Sequence, residues 1–214
     1  MTILKSTVLL ILFLTVASGA NNFISQPEKE KTNILPVPIF RQSTSYSCGA
    51  AALQSVLHYW KVSEEGEMAF HEPLQTDKEF GTHPVSIANY VKSLGLKVEL
   101  KTQTSFSDLE SAIDRKEPVI VDFQGWGPPG TKDYSNIWED GHYGVIIGYD
   151  ETYFYLMDPV LGSSYGKLEK NDFLRRWHDI ETRNGKAEYF IQSAIFISGI
   201  EKLKKFPSET VLIN

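Results

Sequence analysis

Residues 141–159 read Gly141-His142-Tyr143-Gly144-Val145-Ile146-Ile147-Gly148-Tyr149-Asp150-Glu151-Thr152-Tyr153-Phe154-Tyr155-Leu156-Met157-Asp158-Pro159. Two β-branched and aromatic runs of strand length are separated by the turn residues Gly148, Asp150 and Glu151, the pattern of two strands joined by a turn. If residues 143–149 and 153–157 pair as an antiparallel hairpin, the start of the first lies beside the end of the second. Asp158 then falls next to His142. Pro118 precedes a further strand-like run, Val119-Ile120-Val121, and a last strand is predicted over 191–197.

Upstream of Pro118 the apolar period is helical. Residues 48–60 place Ala52, Leu53, Val56, Leu57 and Trp60 on one wide face, as a buried central helix requires. A weaker helix over 64–74 is interrupted by Gly66 and ended by Pro73. Pro84 opens a better one, with Ile87, Tyr90, Val91 and Leu94 on one face and Gly95 at its end. Val98 and Leu100 alternate like a short strand. Ser107 and Glu110 have capping-box spacing for a helix through Arg115 that turns Leu109, Ala112 and Ile113 inward. A late helix is predicted over 171–177. Helices first and strands second predict an α+β class, N-terminal helices packed on a C-terminal antiparallel sheet. The loop 124–141, with Trp126, Pro128, Pro129, Gly130 and Trp138, has the length of a lid or binding loop, or of a surface excursion pinned by its tryptophans.

The 214 residues are 42% hydrophobic, enough for one domain with a substantial core. Net charge is -6 and the cations are scattered, so the concentrated positive field that nucleic acid requires is missing. Residues 1–20 combine Lys5, an apolar run from Val8 to Ala17 and the small residues Ser18, Gly19 and Ala20. This is the layout of a secretory signal peptide, cleaved after Ala20. No later stretch approaches the roughly 18 apolar residues of a membrane span, so no stable membrane anchor is expected after cleavage. The expected organisation is a signal peptide over 1–20, a polar linker over 21–35, one domain over 36–200 and a tail over 201–214. Export, to a periplasm or beyond, is the expected destination.

Exported proteins usually pair their cysteines, yet this chain has one, Cys48. An unpaired thiol is an intermolecular link, an inert buried side chain or a reactive group. Cys48 opens a predicted helix, whose unpaired N–H groups and dipole favour an anion. Gly49 follows, and its lack of a Cβ would leave room for a substrate carbonyl. Gln42 lies six residues earlier on extended backbone after Pro36-Val37-Pro38, where its amide can donate to an oxyanion. Such a thiol needs a base and a group that orients the base. Of the five histidines, His142 alone starts a strongly patterned strand, and Asp158 is the carboxylate the hairpin brings to it.

These residues resemble a known family. Arg41-Gln42-Ser43-Thr44-Ser45-Tyr46-Ser47-Cys48-Gly49-Ala50-Ala51-Ala52-Leu53, then Pro118 to Asp122, Gly141-His142-Tyr143 through Asp150, and Met157-Asp158-Pro159 are similar to the C39-like family of papain-like cysteine peptidases. The resemblance implies a papain-like fold and a Cys48, His142 and Asp158 triad with Gln42 in the oxyanion hole. It also implies a peptide or protein substrate, with Gly49, Trp126 and Gly141 as candidate substrate contacts, and neither cofactor nor metal. His142 follows Cys48 by 94 residues, against the roughly 130 to 150 of papain and cathepsins. The best-known members of the family are transporter-fused, often carry Asp immediately before the nucleophile and cut leader peptides after a double glycine. Ser47 and the signal peptide point instead to the free-standing members. The same constellation serves acyl transfer or deamidation, and a peptide-binding module can keep the fold without catalysis. A metal site built on His71 and His83 has no standard ligand spacing.

Overall fold

The computed structural model describes residues 33–201 except 184, together with a strand at 210–212. The expected signal peptide and all but the end of the expected linker lie outside the described residues. That end belongs to the fold: Leu35 is buried and its N–H donates to Ile147 O at 2.7 Å.

Helix α1 (Cys48–Tyr59) is buried along its whole length except at His58. Its small residues Ala50, Ala51 and Ala52 let backbone approach backbone, and Leu53, Val56 and Leu57 fill the core behind them. The helix expected over 64–74 shrinks to one turn, α2 (Met68–His71). Helix α3 (Pro84–Ser93) starts on proline and stops where Gly95 takes a φ of +76°. Strand β1 (Lys97–Lys101) follows.

Helix α4 (Phe106–Asp114) is capped by Ser105, not Ser107, and Asp108 completes the box. Both pairs satisfy the same spacing rule, and the Ser105 choice puts Phe106 at the first turn, against Phe154. Strands β2 (Val119–Gln124), β3 (Gly141–Tyr149) and β4 (Tyr153–Met157) are the predicted ones. Strand β5 (Tyr165–Glu169), helix α5 (Lys170–Arg176) and the ribbon β6 (His178–Arg183) with β7 (Lys186–Ile191) come next. The strand expected over 191–197 is divided: Ile191 ends β7, a turn passes through Gln192 and Ser193, and β8 (Ala194–Ser198) begins afterwards. Strand β9 (Thr210–Leu212) lies in the stretch expected as a tail and runs parallel to β5.

The main sheet has the order β1-β8-β2-β3-β4-β5-β9, and β6-β7 forms a separate two-stranded ribbon. Antiparallel pairing of β3 and β4 sets Val145 opposite Met157, with a register shift between Ile146 and Gly148. Side chains of a strand alternate between faces. Met157 meets Ser55 of α1 on one face, while Phe154 meets Phe106 and Phe173, from α4 and α5, on the other. The sheet is thus sandwiched, which explains why β2, β3 and β4 read as almost continuous apolar runs.

Phe154 is fully buried within the ring cluster of Phe106, Phe173 and Trp177. Phe154→Ala is expected to lower unfolding free energy by about 3–5 kcal/mol, measurable by urea denaturation.

Candidate active site

The chain reaches α1 through a short lead-in held by a carboxylate. Glu67 accepts from Ser43 N at 2.7 Å and Ser43 Oγ at 3.0 Å, and pairs with His71 Nε2 at 2.9 Å. Burial opposes its charge, but hydrogen bonds from Ser47, His71 and Ser43 win and hold its carboxyl below the usual value. Ser47, at the N-cap of α1, is buried and joined to Thr44 Oγ1 at 2.7 Å, so its side chain does not cap the helix. The first-turn N–H groups of α1 therefore have no side-chain acceptor, and Cys48 stands among them.

His142 is the second residue of β3, at the end away from the β3–β4 turn and opposite Phe123 of β2. Its Nε2 lies 3.0 Å from Asp158 Oδ1, and the same oxygen accepts from Val160 N at 2.8 Å. Both residues are buried, at 2% and 4% exposure. With Nε2 facing Asp158, Nδ1 is the nitrogen left for the Cys48 sulfur. Burial alone would lower the pKa of the ring; hydrogen bonds and charge from Asp158 and Cys48 outweigh it and raise the value to about 10. The structure thus pairs His142 with Asp158 and sets Cys48 close enough to act on the same ring.

Gln42 is tied to the same corner, its N–H donating to Pro159 O at 3.0 Å. Its amide Nε2 donates to Thr44 O at 2.7 Å, which commits one of two amide hydrogens. Trp126 packs on the His142 ring at 4.8 Å between centroids and is 46% exposed, so it roofs the imidazole while facing solvent.

Two glycines have packing reasons different from the one expected at Gly49. A Cβ at Gly49 would lie 2.8 Å from Thr82 Cβ, so the space expected for a substrate carbonyl on this side is filled by Thr82. A Cβ at Gly141 would lie 2.5 Å from Asp179 Oδ2, which makes this backbone the seat of a carboxylate at the edge of the cleft.

The 124–141 loop is pinned. Tyr134 stacks under Arg176 at 3.4 Å, Trp138 packs on His178 at 4.3 Å, and His178 Nε2 meets Ile137 O at 2.7 Å. The other histidines serve local structure: His58 meets Glu65 O, and His83 accepts from Val85 N at the start of α3. Sequence reasoning missed Glu67, Asp179 and Glu181. Isolated acidic residues in polar stretches carry no signal of burial, and only the fold brings them together.

A helix-borne thiol and a strand-borne histidine on a layered frame of helices and antiparallel sheet define the architecture of papain-like cysteine peptidase domains. The sequence matches the Peptidase_C39 like family over residues 34–184, and the chain belongs to that family. It is 24% identical over 148 residues to a Pseudomonas fluorescens protein named as a probable functional amyloid protease, FapD, a match that covers 66% of this chain and 58% of that protein's length. In fold it is similar to a Bacillus anthracis protein classed as a C39-like peptidase, with TM-score 0.59, 17% identity, and 81% of this chain and 100% of that chain covered. It is also similar to the peptidase domain of Streptococcus ComA, a bifunctional ABC transporter of quorum sensing, with TM-score 0.56, 22% identity, and 76% and 98% covered.

Because the His142 pKa is raised from 6.5 to about 10, its stabilising effect is complete below about pH 6.5 and is lost as pH rises through about 10. Unfolding free energy should fall across that window while the His142 Cε1 proton resonance titrates near its end. Asp158→Ala strands a buried imidazolium and should cost about 3–5 kcal/mol at pH 7 by urea denaturation, with the NMR titration of His142 moving to lower pH.

Proposed function

We propose that the protein is an exported cysteine hydrolase that cleaves peptide or isopeptide bonds through a thioester on Cys48. The observation that carries this reading is the buried His142–Asp158 pair, whose ring also feels Cys48 at the start of α1. In the proposed cycle the thiol proton already rests on His142 before substrate arrives, and the Cys48 sulfur attacks the substrate carbonyl, forming a C–S bond and an oxyanion. The uncapped N–H groups of α1 and the free amide hydrogen of Gln42 are the donors suited to that oxygen. Collapse breaks the C–N bond, and the imidazolium hands its proton to the leaving amine. Water, deprotonated by His142, then attacks the thioester, and breaking of the C–S bond releases the acid and returns the sulfur beside a protonated His142. Asp158 keeps the ring oriented and offsets its charge throughout.

Family membership supports a peptidase over a transferase or a deamidase. The relationship to FapD brings functional amyloid into the proposal as a candidate substrate setting. Export rests on the composition of residues 1–20, and no helix among the described residues is long and apolar enough to cross a membrane.

Iodoacetamide should alkylate Cys48 at pH 7 faster than it alkylates free cysteine, by mass spectrometry of the Cys48 peptide; an equal or lower rate would sink the nucleophile reading. Cys48→Ala should abolish cleavage of a peptide library, and Gln42→Ala should lower its turnover by about 10²–10³, as loss of an oxyanion donor does. Unchanged cleavage in the Cys48 variant would overturn Cys48 as the nucleophile, and absence of cleavage in the parent chain would leave only a binding role. Intact-mass analysis of the exported protein should find a chain starting at Asn21, and a retained segment 1–20 would contradict cleavage.

A further inference from the structure

The cleft beside Cys48 has a volume of about 510 Å³ and is lined by five carboxylates, Glu79, Glu139, Asp140, Asp179 and Glu181, against the single cation Lys78. Two of the five are built into the protein. Asp179 and Glu181 alternate along β6, each only 7% exposed. Asp179 Oδ1 accepts from Gln124 Nε2 at 3.0 Å and Ile180 N at 2.9 Å, and Oδ2 lies over Gly141, next to His142. Glu181 has no hydrogen bond; its nearest cation, Arg183 Nε, stands 4.0 Å from Oε2. Arg176 is spent on Asp172 and on the carbonyls of Gln124 and Gly125.

A third carboxylate stands behind these two. Asp122 is 2% exposed and its Oδ1 has no hydrogen-bond partner, while Ser193 bonds its side chain. Asp122 lies two residues before Gln124 in β2, so it leaves the sheet on the face where Gln124 reaches Asp179. The charges of Asp179 and Glu181 act on it from that side. Asp179 and Glu181, the two of these that line the cleft, therefore have less positive charge around them than two ionised carboxylates need. Its walls include Trp138, fixed on His178, whose indole suits the alkyl stem of a long cation.

We infer that this cleft is a subsite for a lysine or arginine side chain of the substrate, its charged head between Asp179 and Glu181 and its stem along Trp138. The inference rests on Cys48 being the nucleophile, since it places the cationic residue close to the scissile bond. Without a cation, burial pushes Asp179 up to about 6, and burial with the Asp179 charge pushes Glu181 up to about 8. At neutral pH the proton is held on Glu181, and an incoming ammonium or guanidinium would replace it.

The test is protection of Cys48 from iodoacetamide by acetyl-Ala-Ala-Lys-Ala-Ala-amide, its arginine counterpart and the uncharged norleucine counterpart, which can bind in any register. The full chain should be protected by the lysine or arginine peptide at a concentration at least about tenfold lower than by norleucine, the advantage a charge-assisted contact confers. In Asp179→Asn/Glu181→Gln the ratio of protecting concentrations should fall to about one. Glu181→Gln alone should lower it partway and serves if the double variant does not fold. Equal protection by charged and norleucine peptides, or none by any of them, in a protein whose Cys48 still reacts rapidly, overturns the subsite. Slow alkylation of unprotected Cys48 would instead overturn the nucleophile on which it rests.

Discussion

A charged imidazole kept out of water at the end of a strand is the constraint around which the rest of this structure is arranged. Taking an ion pair into a protein interior costs several kcal/mol per ion and is offset only by close, well-satisfied partners. The hairpin supplies them. The β3–β4 register delivers Asp158 to His142, and Val160 N–H binds the same carboxylate oxygen. Pro159 in turn holds the backbone of Gln42, so the lead-in to Cys48 is fastened to the corner that carries the acid. Cys48, His142 and Asp158 come from segments far apart in sequence, and these contacts bring the segments to one corner.

Much of this frame is legible in the chain. The helices that begin at Cys48 and Pro84 and the strands β2 to β4 are buried on broad faces, so their apolar periods are strong. The proximity of His142 and Asp158 could be read because an antiparallel hairpin sets the start of its first strand beside the end of its second. Strands β5, β6 and β7 could not be read in the same way. Their sequences, such as His178-Asp179-Ile180-Glu181-Thr182-Arg183, mix charged and apolar residues, and β7 is exposed at five of its six positions. The capping box was ambiguous because Ser105/Asp108 and Ser107/Glu110 obey one rule two residues apart. Only the packing of Phe106 decides between them.

The site shows the same division. Cys48, Gln42, His142 and Asp158 carry recognisable chemistry in their own neighbourhoods. Glu67 does not: it follows Gly66 in a polar stretch and becomes meaningful only when Ser43, Ser47 and His71 converge on it. Gly49 illustrates the converse error. A glycine after a nucleophile invites a substrate-centred explanation, whereas Thr82 fills the place its side chain would take.

The β6–β7 ribbon pairs only with itself, and it carries Asp179 and Glu181 on alternate positions of one strand. Neither residue belongs to the hydrophobic core or to the Cys48–His142–Asp158 series. The wall of the cleft is therefore a detachable module in evolutionary terms. Drift in two codons of one ribbon can retune what approaches the sulfur, while the helix, the hairpin and their chemistry are inherited intact.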